Sequence, residues 1–444
     1  MKLRTLALVV PLALALAAGH AGAEDLLQVY REAQQSDPTL AAARANWQAA
    51  QERVPQARSG LLPNVGLAGS ANASDGRTSV RADPRSVTAN GYGNAGFTIS
   101  ASQPLYRQQN VVALDQARRV VEQADYTLAS SQQDLIIRVT VAYFDVLLAE
   151  VNVELAEAQK RAVSEQLAQA QRNFEVGVST ITDTNEAQAR FDSIVAQEIA
   201  QRNELDNRRT ALRAITGRMP RELKKLGPGF EPGVPQPNVL DHWLDRALTD
   251  NINVRIAGYN LDVATLEIDR ARAGHLPTVD LVASAGQNWG SGSLGNDYRF
   301  DSRSLQVGVA LNVPIYQGGF VDSRVRETIS LQETARHNLE VARRNALSNA
   351  QIGFAGVNSA VASVKAFEQA LRSAQTALES NRLGQEVGVR TTLDVLNVTQ
   401  QLFQVRRDLA QAYFNYLIGV LRLKASVGSL NEQDLEDINR RLAG

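Results

Sequence analysis

Few groupings in this chain have the residue types and spacing to do chemistry. GYGNAG (91–96) has the G-x-G-x-x-G spacing with which glycines let backbone amides approach a pyrophosphate. It leads into an alternating stretch instead of following a strand and opening a helix, so it reads as small residues on a sheet face. Beyond residue 23 the histidines are His242, His275 and His337, scattered without metal-ligand spacing. No nucleophile–base arrangement stands out, so no catalysis and no cofactor are expected. What is left is a turn written twice, EVGVSTITD (175–183) and EVGVRTTLD (386–394). Each holds a glycine, Gly177 or Gly388, and an aspartate six residues later, Asp183 or Asp394. Thr180 and Thr391 stand three residues before the aspartates, close to a capping box that would satisfy the first amides of a helix. An aspartate there can instead face a pore and gather negative charge. The residues alone favour capping for Asp183 and leave Asp394 balanced between the two. Arg390 has Ser179 at the equivalent place. That asymmetry suits a specific partner, although a solvated turn residue is the plain alternative.

The doubled turn belongs to a doubled chain. ARSGLLPNVGLAGS (57–70) matches ARAGHLPTVDLVAS (271–284), QPLY (103–106) answers VPIY (313–316), and AITG (214–217) answers ASVG (425–428). Internal repetition of this kind marks one structural unit used twice. We read 24–217 as the first repeat and 238–428 as the second, each running helix, strand hairpin, long helix, turn, helix. The hairpins are expected over 64–104 and 278–314, and the turns over 175–183 and 386–394. Residues 218–237 hold five prolines and read as a surface linker, and 429–444 as a C-terminal segment.

The positioning elements follow from periodicity. Leu305, Val307, Val309, Leu311 and Val313 alternate with polar or small residues, and Phe97, Ile99 and Ala101 alternate with Thr98, Ser100 and Ser102. A period of two places one set on each face of a strand. Strands are expected over 65–74, 91–103, 279–288 and 305–313. Leu135, Val139, Ala142, Val146, Ala149, Val153, Ala156, Lys160, Val163, Leu167, Ala170 and Phe174 step by four and three, a coiled-coil seam broken only by Lys160. One helix from Tyr106 to Phe174 would be about 100 Å long. Pro63 and Pro277 precede the first strand of each hairpin, and Pro104 and Pro314 are expected to close the second. Proline removes a backbone donor and bars its predecessor from helical geometry, so helix and strand switch there.

The first 23 residues read as a signal peptide. Lys2 and Arg4 begin it, Leu6–Ala18 is apolar, and Ala21-Gly22-Ala23 gives a cleavage site before Glu24. Its removal takes the formal charge from −1 to −3, a weak field without a basic patch, which argues against nucleic acid as a partner. There is no cysteine, hence no disulfide framework and no cysteine metal site. No later stretch is long and apolar enough to span as a helix, so membrane contact must come from strands or from the surface. Four strands cannot stand open in lipid, where every backbone group must be paired. A closed barrel needs at least about eight strands, so several chains would have to share one. Tyr92, Phe97, Trp289, Tyr298 and Phe300 suit an aromatic girdle at its rim. A soluble β-sandwich would show the same alternation.

EDLLQVYREAQQSDPTL, ARAGHLPTVDL, VPIYQGG, VGVRTTLDVL, QAYFNYLIGVLRLKASVGSLNEQDL and the tandem repeat together resemble the TolC family of outer-membrane efflux and type I secretion channels, over residues 24 to about 435. The resemblance implies an α+β membrane protein of the Gram-negative outer membrane. It would be a homotrimer in which four strands per chain make a 12-stranded β-barrel, continued by a long periplasmic helical barrel. It implies a periplasmic adaptor and an inner-membrane ABC, RND or MFS transporter as partners, and a periplasmic end closed at the two turns. Carried over by position, Arg390 would bond Thr182 and Asp183, and Asp394 would face the pore. Two departures stand out. The family pattern has Tyr where this chain has Gln385, so one link to Asp183 is weaker or remade. It has a second Asp where this chain has Asn397, so a trimer would hold three carboxylates at the constriction instead of six. The rival from another class is an exported coiled-coil adaptor or scaffold without a pore.

Overall fold

The computed structural model describes residues 23–77, 88–227, 230–293 and 296–443. The leader expected over residues 1–23 lies outside them except for Ala23. Three helices open the chain, α1 (Leu26–Ser36), α2 (Pro38–Gln51) and α3 (Arg53–Ser59), followed by β1 (Asn64–Arg77), β2 (Thr88–Tyr106), α4 (Gln108–Glu175) and α5 (Ile181–Thr216). After β3 (Lys225–Leu226) come α6 (Leu240–Asp250), α7 (Ile252–Arg272), β4 (Thr278–Ser293), β5 (Asn296–Asn312), α8 (Phe320–Glu386) and α9 (Thr392–Ser426). The chain closes on α10 (Glu432–Asn439) and β6 (Leu442–Ala443). No helix among the described residues is long and apolar enough to cross a membrane.

Two compact units form. One consists of Ala42–Ser131 and Leu244–Ser348 and contains the main sheet. Its strands lie in the order β1-β2-β4-β5, all antiparallel, so the central pair joins the two repeats. Register settles the faces. Leu67, Ile99, Ala285 and Leu305 form one row, and Val65, Ala101, Ala283 and Val307 the next. The opposite face is small and polar, with rows such as Gly66–Ser100–Ser284–Gln306. Leu305, Val307, Val309 and Leu311 are all exposed, as are Val65 and Leu67. A sheet with this much bare apolar surface on one face is made for lipid or for a partner. In the single chain β1 and β5 are the outer strands of the sheet, and each keeps one unpaired edge.

The strands depart from the sequence pattern at several points. β5 starts at Asn296, nine residues before the expected start; Arg299, Asp301 and Arg303 hold the positions where apolar residues would mark a strand by alternation. Pro104 does not close β2. The strand runs on to Tyr106 through a register break, the kind of irregularity where a residue lacking an N–H is tolerated. β5 ends at Asn312, two residues before Pro314, and the left-handed Gly318 and Gly319 then lead into α8. Pro63 and Pro277 sit directly before β1 and β4. Phe300 faces the small side of the sheet, opposite Gly290, where an added Cβ would collide with the ring at 2.0 Å. It therefore cannot join a girdle on the apolar face. Phe97 and Trp289 do share that face, with ring centroids 5.8 Å apart. The side chains of Tyr92 and Tyr298 lie outside the described residues.

The second unit holds the N-terminal part up to Ala41, Gln132–Trp243 and Asn349–Gly444. The seam of α4 is buried at Leu135, Val139, Val146, Ala149, Ala156, Val163, Leu167 and Ala170, half-buried at Ala142 and Val153, and exposed at Phe174. Lys160, its one polar member, reaches Glu198 of α5 at 2.8 Å. Phe144 stacks on Phe414 of α9 at 5.2 Å. Gly353 lets α8 approach α9, since a Cβ there would stand 3.3 Å from the Leu423 backbone. The linker and the C-terminal segment pair with each other through β3 and β6. The Tyr143 hydroxyl donates to the carbonyls of Glu24 and Lys224, at 3.1 and 2.8 Å.

Candidate functional site: the two helix reversals

Both reversals are built the same way. α4 stops because Gly177 adopts φ +78°, and α8 because Gly388 adopts φ +81°. In the first, the Val178 amide donates to the Asn173 carbonyl at 2.9 Å and the Gly177 amide to that of Phe174 at 2.9 Å. In the second, Val389 donates to Gly384 at 2.8 Å and Gly388 to Gln385 at 3.1 Å. These paired bonds are the Schellman arrangement, which satisfies the last carbonyls of a helix and needs a left-handed residue. A Cβ at either glycine would be strained in this backbone.

Each following helix restarts on a reciprocal cap. Asp183 accepts from the Thr180 amide and hydroxyl, both at 3.0 Å, while the Thr180 oxygen accepts from the Asp183 amide at 3.3 Å. Asp394 and Thr391 repeat the pattern at 2.9, 2.9 and 3.1 Å. The Thr391 amide, then its hydroxyl, and the nearby Arg390 hold the Asp394 carboxyl below the usual carboxylate range. Both aspartates are half-buried, and both serve as caps in the single chain.

The remaining candidates divide. Thr182 is exposed. Arg390 is exposed with its stem folded over Gly384, where a Cβ would meet Arg390 Cγ at 2.7 Å. Among the described residues of one chain, no hydrogen bond or ion pair links Arg390 to Thr182 or Asp183. The Gln385 amide donates to Thr392 Oγ1 of its own turn at 3.1 Å, not to Asp183. Asn397 accepts from Arg190 of α5 at 3.2 Å, and Arg190 also donates to Gln400 at 3.0 Å. Sequence reading missed Arg190. Its only signal is its place two helical turns after Asp183, while its partner lies 207 residues away.

Around these polar groups the turns are apolar and bare. Val178 is 73% and Val389 76% exposed, and Val176 and Val387 are exposed beside them. Below the surface Val163, Leu167, Ala170, Ala187 and Ile194 pack with Leu396, which ties the first hairpin to α9. Leu378, Val395 and Leu402 hold the second. The reversals are therefore capped ends with apolar tips. Among the described residues no group of acidic or histidine side chains could hold a metal ion.

Comparison with known proteins accounts for the doubled plan. The outer membrane protein TolC of Vibrio cholerae is 35% identical over 423 residues, covering 95% of this chain and 94% of that protein. The proteases secretion protein PrtF of Dickeya chrysanthemi is 30% identical, covering 98% and 94%. The crystal structure of the outer membrane protein VceC from Vibrio cholerae shares the fold, with a TM-score of 0.75 at 20% identity, covering 91% of this chain and 96% of that one. Residues 29–218 and 243–429 each match the profile of one family, so the chain, in both its halves, belongs to the outer membrane efflux protein family.

Proposed function

We propose that this protein is the outer-membrane exit duct of tripartite type I secretion and multidrug efflux systems. The observation that carries the reading is the four-stranded sheet, lipid-ready on one face, small and polar on the other, and open at both edges. Three copies supply twelve strands and close a barrel whose polar face lines the lumen, in keeping with the even strand number of such barrels. The helices continue it into the periplasm, where a periplasmic adaptor and an inner-membrane ABC, RND or MFS transporter dock. The repeats are 24–217 and 238–428, with 218–237 and 429–444 as the equatorial segments. Cargo passes without a catalytic step. The match to the outer membrane efflux protein family and the likeness to the proteases secretion protein PrtF support a role in efflux and in protein export.

The duct narrows at the two reversals. Arg390 clamps the closed end by bonding Thr182 and Asp183, a role supported by its exposure and by Ser179 standing at the equivalent place in the first turn. Asp394 turns its charge toward the pore, and Asn397 leaves the ring at three carboxylates. A ring of aspartates concentrates negative potential and draws multivalent cations. One planar-bilayer experiment on detergent-purified trimer tests these roles. The parent should conduct and be blocked by a trivalent cation; Arg390→Ser should conduct more, and Asp394→Ala should lose about tenfold in block affinity. A monomeric, fully folded protein in detergent would sink the duct. Unchanged conductance in Arg390→Ser would remove the clamp, and equal block would remove the ring.

A further inference from the structure

The apolar face of β5 changes character at one residue. Leu311, Val309, Val307 and Leu305 are followed on that face by Arg303, Asp301 and Arg299, all exposed. With Val313 just past the strand, also exposed, the apolar run from Leu305 covers roughly 26 Å of chain, and at a barrel tilt of about 40° it stands about 20 Å along the membrane normal, most of the band of about 25 Å that an outer-membrane barrel shows to lipid. Arg303 therefore stands at the margin of that band. Arginine on a lipid face is strongly disfavoured at mid-membrane and tolerated at headgroup level.

Among the described residues the two arginines also lack partners. Gln287 donates to both oxygens of Asp301, at 3.0 and 3.1 Å. Arg303 lies in register with Gln287, Phe97 and Gly69, and Arg299 with Ser291 and Gly93, none of them acidic. Among the described residues neither guanidinium has a hydrogen bond or ion pair. Trp289 sits in register with Asp301, between the two arginine rows, and packs against Phe97. The patch is thus two unpaired cations beside an exposed aromatic pair. It lies toward the β4–β5 turn, away from the strand ends that lead to α7 and α8. With the helices in the periplasm, that end meets the outer leaflet, which is built from phosphorylated glycolipid.

We propose that Arg299 and Arg303 bind the phosphates of outer-leaflet glycolipid headgroups, with Trp289 and Phe97 packing on the sugar and the first methylenes. The guanidinium fork matches a phosphate with two parallel bonds. Four residues of strand set the two arginines about 13 Å apart, so they address a headgroup carrying two phosphates. The site rests on the outer-membrane orientation given above.

Native mass spectrometry of detergent-purified protein tests it, with lipid A and with fully dephosphorylated lipid A as probes. The parent should retain lipid A about fivefold better than R299Q/R303Q, and the dephosphorylated form should bind both proteins equally. Equal retention of lipid A overturns the proposal. So does an equal loss of both lipids in the variant, which would report packing damage and not charge. Displacement of lipid A by millimolar inorganic phosphate alone would assign a free-anion site and overturn the lipid. Conductance of the same samples separates the readings. A conducting parent without lipid preference sinks this site alone, whereas a parent that neither trimerises nor conducts sinks the duct and the site with it.

Discussion

At each reversal a threonine and the aspartate three residues later exchange bonds, and a left-handed glycine stops the helix before them. These features were legible because they are local: cap, stop and restart lie within nine residues, and the chemistry of orphan amides prescribes their types. The Arg190–Asn397 bond was not legible, because nothing in the sequence says that α5 and α9 run side by side at that level. Thr391→Ala should cost about 1 kcal/mol of local stability, read as roughly fivefold faster hydrogen exchange at the Asp394 and Val395 amides. Unchanged exchange would mean the cap is idle. The same bonds set a pH dependence. Because the Thr391 amide and hydroxyl, with Arg390, depress the folded carboxyl of Asp394, its contribution is fully present above the unfolded carboxyl range of about 3.9. It fades as pH falls below that value through the lower folded pKa. Protection of the second turn should therefore be flat from neutral pH down to about 4 and drop only in stronger acid.

Among the elements, long-period patterns read well and mixed faces read poorly. The heptad predicted the α4 seam, since eight of its twelve positions are buried, and the exception at Lys160 has a physical partner. Its ammonium meets Glu198, a nearly buried carboxylate that Arg202 also holds at 2.7 Å. The first half of β5 is not legible in the sequence because an exposed strand beyond the apolar band has no reason to alternate by hydrophobicity. Phe300 was misplaced because one residue of parity decides the face, and only the register with Gly290 fixes it. The seam gives a test of element pairing. Lys160→Met removes one partner and leaves the Glu198 charge under-compensated, while Lys160→Met with Glu198→Leu replaces the pair by apolar packing. Only the carboxylate of this pair is buried, and a buried carboxylate that loses a partner costs more than an apolar side chain in its place. The single variant should therefore melt below the double in a thermal scan, and the reverse order would show that the pair does not span the α4–α5 seam.

For the whole molecule, the decisive fact is that the sheet cannot be stable as one chain supplies it. Its two outer strands each present unpaired amides and carbonyls, which hydrocarbon does not solvate. Closure through copies of the same sheet removes both edges at once, and the faces then follow from parity alone. That parity makes neighbouring residues opposite in consequence. Val307 pairs with Ala283 on the apolar face, and Gln306 pairs with Ser284 on the small polar face. Val307→Arg would place a charge near the middle of the lipid band, at a cost of about 2–4 kcal/mol per chain, repeated in every subunit of the trimer. Gln306→Arg would place the same group in the water-filled lumen, where it meets no such penalty and makes the pore more anion-selective. The expected outcome is that Val307→Arg disappears from the trimer band of the outer-membrane fraction, while Gln306→Arg remains trimeric and shifts its reversal potential in a salt gradient. Two variants that behave alike would break the assignment of faces, and with it the barrel, because no closed sheet can put both residues on the same side.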